Sequence, residues 1–203
     1  MKPIETVMRS APVIPVLVIE DADHALPIAR ALVAGGLRVL EVTLRTQVAL
    51  DAIRIMKTVP GAIVGAGTVL DPQMLAAAAG AGAEFIVSPG LTTALGNAAN
   101  DSRLPFLPGV ATAGDIMRGL DLGLTHFKFF PSETSGGIPA LRALAAPFPM
   151  ARFCPTGGIT AATAASWLAL DPVLCVGGSW LVPKGPPDEA AITAAARAAT
   201  ARS

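Results

Sequence analysis

Short apolar runs alternate with alanine-rich stretches along nearly the whole of this 203-residue chain, and no other feature constrains its fold as strongly. The runs "VIPVLVI" (13–19), "LRVLEVTL" (37–44), "AIVGAG" (62–67), "EFIVS" (84–88), "LPFLPG" (104–109), "THFKFF" (125–130), "ARFCPT" (151–156) and "PVLCVGG" (172–178) have the length and composition of strands. Between them, "DADHALPIARALVAGG" opens on Asp and closes on Gly, and "DPQMLAAAAGAG" opens on Asp-Pro, the punctuation that marks helices. Strands separated by helices pair in parallel through right-handed crossovers. The eight runs therefore predict an α/β fold, a (β/α)8 TIM barrel forming a single domain over residues 1–203, with "IETVMRSAP" as a short N-terminal helix closing the barrel floor. An open doubly wound sheet is the alternative. Its dinucleotide fingerprint is missing, because "VLVIEDADH" after the first strand contains no glycine.

Composition narrows the partners. A chain with 52% hydrophobic and 15% charged residues buries an extensive core, and its formal net charge of zero offers no basic field to nucleic acid or an anionic membrane. An anionic ligand must be small and locally gripped. The start, "MKPIETVMRS", lacks the apolar run of a signal peptide, and every later apolar stretch is broken before membrane-spanning length, so a soluble, cytoplasmic protein is expected. Cys154 and Cys175 lie in apolar strand-like runs without CxxC or Cys/His spacing, which predicts buried thiols and neither a disulfide nor a metal site.

In a barrel, chemistry gathers at the C-terminal ends of strands, and six of these ends are polar: "EVTLRT", "GAGTV", "VSPG", "FKFFPSE", "PTGGIT" and "VGGSW". Lys128 stands among Phe127, Phe129 and Phe130. Either it snorkels or pairs with a carboxylate, or its charge is removed by desolvation, which disfavours a charged amine and leaves a nucleophile able to form a Schiff base with a ketone. Glu41 faces opposite to Leu40 and Val42. It is either a structural partner of Arg45 or Lys128, or a proton shuttle for imine chemistry. Arg45 is either a surface residue or, by its planar fork, a grip for a substrate carboxylate. Gly157-Gly158 and Gly177-Gly178 follow strands 7 and 8, where barrels commonly hold a phosphate, and "SWLV" is placed to open a short helix aimed at it.

Taken together, "EVTLRT", "GAGTVL", "VSPG", "FKFFPSE", "PTGGIT" and "CVGGSWLVP" resemble the 2-keto-3-deoxy-6-phosphogluconate (KDPG) and 4-hydroxy-2-oxoglutarate (KHG) aldolase family, in the family's order across almost the whole chain. The resemblance implies a class I aldolase, usually a homotrimer, that cleaves the phosphorylated keto-deoxy sugar acid to pyruvate and glyceraldehyde 3-phosphate. It implies no metal and no cofactor beyond the covalent imine on the enzyme. By position, Lys128 resembles the Schiff-base lysine and Glu41 the general acid/base. Arg45, Thr68 and Pro89 resemble groups at the pyruvate end, Phe130 the aromatic wall beside the imine, and Thr156 the contact to substrate hydroxyls. Gly157, Gly158, Gly178 and Ser179 resemble the phosphate cradle. Thr156 and the "VGGSW" block favour the gluconate branch over galactonate-type relatives, while Ser132 stands where alanine is familiar. Two other readings remain: a phosphate-binding barrel without catalysis, and a pyruvate aldolase for a keto acid that carries no phosphate.

Overall fold

The computed structural model describes residues 3–201. Helix α1 (Pro3–Arg9) leads into strand β1 (Val13–Leu17), and Asp21 then accepts the Asp23 N–H to start a 3₁₀ turn (Ala22–His24) that runs straight into α2 (Ala25–Ala34). Strand β2 (Val39–Thr43), α3 (Ala49–Met56), β3 (Ile63–Gly67) and α4 (Pro72–Gly80) follow. Helix α4 starts as its sequence dictates. Asp71 caps it by accepting the Met74 N–H at 2.8 Å, and Pro72 occupies the first turn, where an N–H has no partner to lose.

Next come β4 (Ile86–Val87), α5 (Thr93–Ser102), β5 (Phe106–Leu107), β6 (Gly109–Val110) and α6 (Ala113–Asp121). The chain continues through β7 (His126–Phe129), α7 (Gly137–Ala145), β8 (Arg152–Pro155), α8 (Ala164–Leu168), β9 (Val176–Gly178) and α9 (Glu189–Thr200). Every strand pair is parallel. The strands form a six-stranded sheet, β5-β4-β3-β2-β1-β9, and a three-stranded sheet, β6-β7-β8. This departs from one continuous eight-stranded sheet at a definite place. The run expected as a single strand over 104–109 is divided at Pro108, which has no N–H for a ladder; β5 pairs with β4 on one side of it and β6 with β7 on the other. On the far side, isolated bridges Phe153↔Val173 and Thr156↔Gly177 link the β8 region to the segment of β9.

Side chains alternate strictly between two cores. Leu40 and Val42, Phe127 and Phe129, Phe153, and Val176 pack outward against the helices. Val39, Phe85, Val87, Leu107, Cys154 and Cys175 face inward and meet Ile4, Val7 and Met8 of α1. The N-terminal helix thus covers the inner core as expected, tied to it on its polar side by Glu5, whose Oε2 lies 3.5 Å from His126 Nε2 at the start of β7 while its Oε1 accepts from Arg9 Nε of the same helix at 2.7 Å. Each fully buried large apolar side chain contributes about 1.5–3 kcal/mol, so the inner core is a substantial part of the fold's stability.

Both cysteines belong to that inner core as free thiols. A hydrogen bond with Cys154, then burial, pushes the Cys175 thiol well above its ordinary range, and the neighbouring charge of Glu41 adds to the effect. Thiolate is the reactive form, so an aromatic disulfide reagent should titrate neither cysteine in the native protein and both after denaturation in guanidinium. Rapid labelling of the native protein would mean that the inner core opens readily.

Candidate active site

The alternation that builds the inner core also aims two charges into it. Glu41 is the inward residue at the centre of β2, in register with Val16 of β1 and Gly65 of β3. Lys128 is inward on β7, two residues after His126 and in register with Gly109 and Cys154. Lys128 is 5% and Glu41 3% exposed, so bulk solvent reaches little of either. Lys128 Nζ instead donates to Glu41 Oε1 at 3.1 Å and lies 5.2 Å from the centroid of the Phe130 ring. The lysine therefore does not snorkel; it has the carboxylate as its partner. A Cβ on Gly67 would overlap the Glu41 carboxylate, so this strand end leaves room for the carboxylate only as glycine.

A buried ion pair rarely stabilises a fold by much, since the desolvation of two charges offsets their attraction. Chemically it is versatile. Passing one proton along the 3.1 Å hydrogen bond turns ammonium and carboxylate into a free amine and a carboxylic acid, with no net charge moved into or out of the interior.

Above the pair opens a cavity of about 130 Å³ lined by Arg45, Lys128, Phe130, Thr156, Gly157, Gly158 and Ser179, with Val16, Ile159 and Gly177 completing its wall. Larger hollows of about 620 and 410 Å³ lie elsewhere, one beside Arg9 and Leu174 and the other beside Arg142 and Asp171, and neither contains the buried amine or its carboxylate. Chemistry, not size, identifies the site. Among the described residues, no cluster of three or more His, Cys, Asp or Glu side chains is arranged to hold a metal ion.

Seven of the eleven residues expected at the site line this cavity, and Glu41 backs it through Lys128. Thr68 joins through Arg45, whose Nε donates to Thr68 Oγ1 at 3.2 Å. Thr68 holds φ 59°, a left-handed conformation that costs a β-branched residue about 1–3 kcal/mol and that commonly marks a functional position. Pro89 stands apart from the cavity wall, in a turn closed by Ser88 Oγ donating to the Gly90 carbonyl at 2.6 Å. Gly157 and Gly158 adopt φ +105° and +82°, conformations that a side chain would strain.

The second glycine pair divides its roles. A Cβ on Gly177 would overlap the Thr156 side chain in the mouth, whereas one on Gly178 would strike the ring of Trp180. Gly177 is thus the member whose bareness shapes the cavity, and the inward position of Cys175 two residues earlier is the sequence signal for it. Residues 179–182 form a turn rather than the short helix expected of "SWLV", so any anion here meets loop amides and the Ser179 hydroxyl without a helix dipole.

Comparison with known proteins agrees with this geometry. The aldolase family described as KDPG and KHG aldolase matches residues 4–195. The KDPG aldolase of Zymomonas mobilis, solved with 3-phosphoglycerate, is 62% identical and superposes with a TM-score of 0.99 over 100% of this chain and 97% of that one. A KHG/KDPG aldolase of Escherichia coli is 58% identical over 180 residues, 88% of this chain and 84% of the relative. The KDPG aldolase of Legionella pneumophila, 45% identical with a TM-score of 0.94 over 97% and 98% of the two chains, holds pyruvate captured as a covalent carbinolamine intermediate.

Proposed function

The chain belongs to the KDPG and KHG aldolase family, and on that premise we propose that it is a class I aldolase cleaving 2-keto-3-deoxy-6-phosphogluconate to pyruvate and glyceraldehyde 3-phosphate, with Lys128 as its Schiff-base nucleophile. The observation that carries this reading is the buried Lys128–Glu41 hydrogen bond opening onto a cavity whose other end is glycine and serine. The Lys128 amine adds to the C2 ketone, giving a carbinolamine. Loss of water, with Glu41 delivering the proton to the departing hydroxyl, leaves a protonated imine. As the C4 hydroxyl gives up its proton to Glu41, the C3–C4 electron pair flows into the iminium, releasing the aldehyde and leaving an enamine. Protonation of the enamine at C3 and hydrolysis return pyruvate and the free lysine.

The other side chains fit the two ends of the substrate. Arg45, buttressed by Thr68, and the turn around Pro89 bind the carboxylate end; Phe130 walls the imine, and Thr156 reads substrate hydroxyls. Gly157, Gly158, Gly178 and Ser179 receive the phosphate. The cradle and the Z. mobilis relative solved with 3-phosphoglycerate support a phosphorylated substrate. The name of the E. coli relative supports cleavage of 4-hydroxy-2-oxoglutarate to pyruvate and glyoxylate as a second activity. A closed (β/α)8 barrel is the finer reading of the fold, supported by the inner core and by the strand that passes between the sheets at Pro108. We assign a homotrimer on family resemblance. A soluble, cytoplasmic enzyme is consistent with the described residues, which include no helix long and apolar enough to cross a membrane.

Borohydride added to the protein with pyruvate should reduce the imine to a stable adduct that peptide mass spectrometry places on Lys128. Chelators should leave cleavage unchanged. An adduct on Lys57 or Lys184, or none at all, would overturn the nucleophile, and activity lost to a chelator and restored by a divalent ion would favour a metal-assisted mechanism.

A further inference from the structure

The loop after β7 grips the loop after β8 through three hydrogen bonds. Ser132 N–H donates to the Thr156 carbonyl at 2.8 Å, Glu133 N–H to the Gly157 carbonyl at 3.1 Å, and Ser132 Oγ to that same Gly157 carbonyl at 2.8 Å. In a trans peptide the N–H points opposite to the C=O. Two donors fixing the Gly157 carbonyl toward the β7 loop therefore fix the Gly158 N–H on the other side of that peptide, away from β7, and Gly158 lines the cavity. The Glu133 side chain locks the arrangement from behind. Its Cβ and Cγ lie where a side chain on Gly158 would stand, and its Oε1 accepts the indole N–H of Trp167 at 3.0 Å. Trp167 is itself fully buried against Phe129.

A carboxylate this close to an anion site would repel the ligand if it swung forward. Tied to the indole, it is held back, and its stem becomes a strut under the glycine loop. We propose that Ser132, Glu133 and Trp167 are positioning residues for phosphate recognition, a bracket that presets the Gly157–Gly158 peptide with its amide toward the phosphate of the substrate. The proposal rests on the phosphate-cradle reading above. It gives "FFPSE" a role beyond carrying Lys128's neighbours, and it makes the Ser132 hydroxyl a second donor to the Gly157 carbonyl beside the Glu133 N–H.

The test compares KM and kcat for KDPG and for 4-hydroxy-2-oxoglutarate, which has no phosphate, in Ser132→Ala, Glu133→Ala, Glu133→Gln and Trp167→Phe. Glu133→Ala and Trp167→Phe should each raise KM for KDPG about 5- to 10-fold and leave KM for 4-hydroxy-2-oxoglutarate within about two-fold, as expected when one oriented hydrogen bond to a charged group is loosened. Glu133→Gln keeps an oxygen for the indole and should recover most of that loss. Ser132→Ala, with the Glu133 N–H still in place, should give a smaller rise of about two- to three-fold. Trapping of pyruvate on Lys128 should proceed normally in all four. Equal losses on both substrates, or failure of the glutamine to rescue, would show a merely structural role and overturn the bracket. If these variants leave the KM for KDPG unmoved while Ser179→Ala raises it, the bracket fails and the phosphate reading stands; if Ser179→Ala leaves it unmoved as well, both fall.

Discussion

Lys128→Met should lower kcat for KDPG cleavage by at least about 10⁴-fold, because among the described residues no other lysine lines the site cavity and the iminium that draws electrons from the breaking bond can no longer form. Methionine matches the length of the stem but leaves Glu41 facing an apolar group inside a nearly dry core, where an unpaired charge costs about 3–5 kcal/mol unless it takes up a proton. The single variant should therefore also melt lower than the parent. That loss of stability is separable from the loss of chemistry. The double variant Lys128→Met/Glu41→Gln removes both charges and should recover much of the melting temperature while staying inactive. Residual activity within about 100-fold of the parent, or activity that returned with stability in the double variant, would mean that Lys128 is a structural member of an ion pair and not the nucleophile.

How far the sequence foretold this site depends on the range of the interaction. Alternation within "LEVTL" is local, and it correctly turned Glu41 to the face opposite Leu40 and Val42; the same parity in "HFKFF" puts Lys128 on the face opposite Phe127 and Phe129, so of the three phenylalanines around it in sequence Phe130 is the one beside its amine. That they meet is not local: 87 residues separate them, and only parallel strands that share an inner core bring Nζ to Oε1. The helix starts at Asp71-Pro72 and Asp21 were readable because a cap is made by residues two or three apart. The break at Pro108 was readable in principle from the missing N–H, but an apolar run around a proline still looks like one strand until its two halves find different neighbours.

Other features depended on tertiary packing. Which glycine of Gly177-Gly178 faces the mouth is set by strand parity counted from Cys175, and the pair alone does not reveal it. Thr68 is forced to φ 59° against the preference of a β-branched residue by the loop that brings it to Arg45. The Ser132–Gly157 and Glu133–Trp167 contacts span 25 and 34 residues and have no motif of their own.

Glu41→Gln carries the second large effect expected here, a fall in kcat of about 10² to 10⁴ with the phosphate end of the site intact. The substitution changes one atom. Glutamine has the volume that the bare Gly67 accommodates, and its amide oxygen can still accept from Lys128, so geometry and packing are preserved. What is lost is the capacity to take a proton from the C4 hydroxyl and to return one when water leaves or enters the carbinolamine. Pyruvate should still be trapped on Lys128, but slowly, since dehydration of the carbinolamine then relies on solvent protons in a site that excludes most water. Inhibition by glyceraldehyde 3-phosphate should be nearly unchanged, because its phosphate meets the glycine loop and Ser179 and not the carboxylate. Gly67→Ala serves as the complementary variant: it keeps the carboxylate but pushes it from its place, and a comparable fall in kcat there would show that position as well as proton affinity matters. If Glu41→Gln stayed within a few-fold of the parent, Glu41 would be no more than the structural counter-charge of Lys128, and the proton would have to travel through another group lining the mouth, with Thr156 the first to be examined.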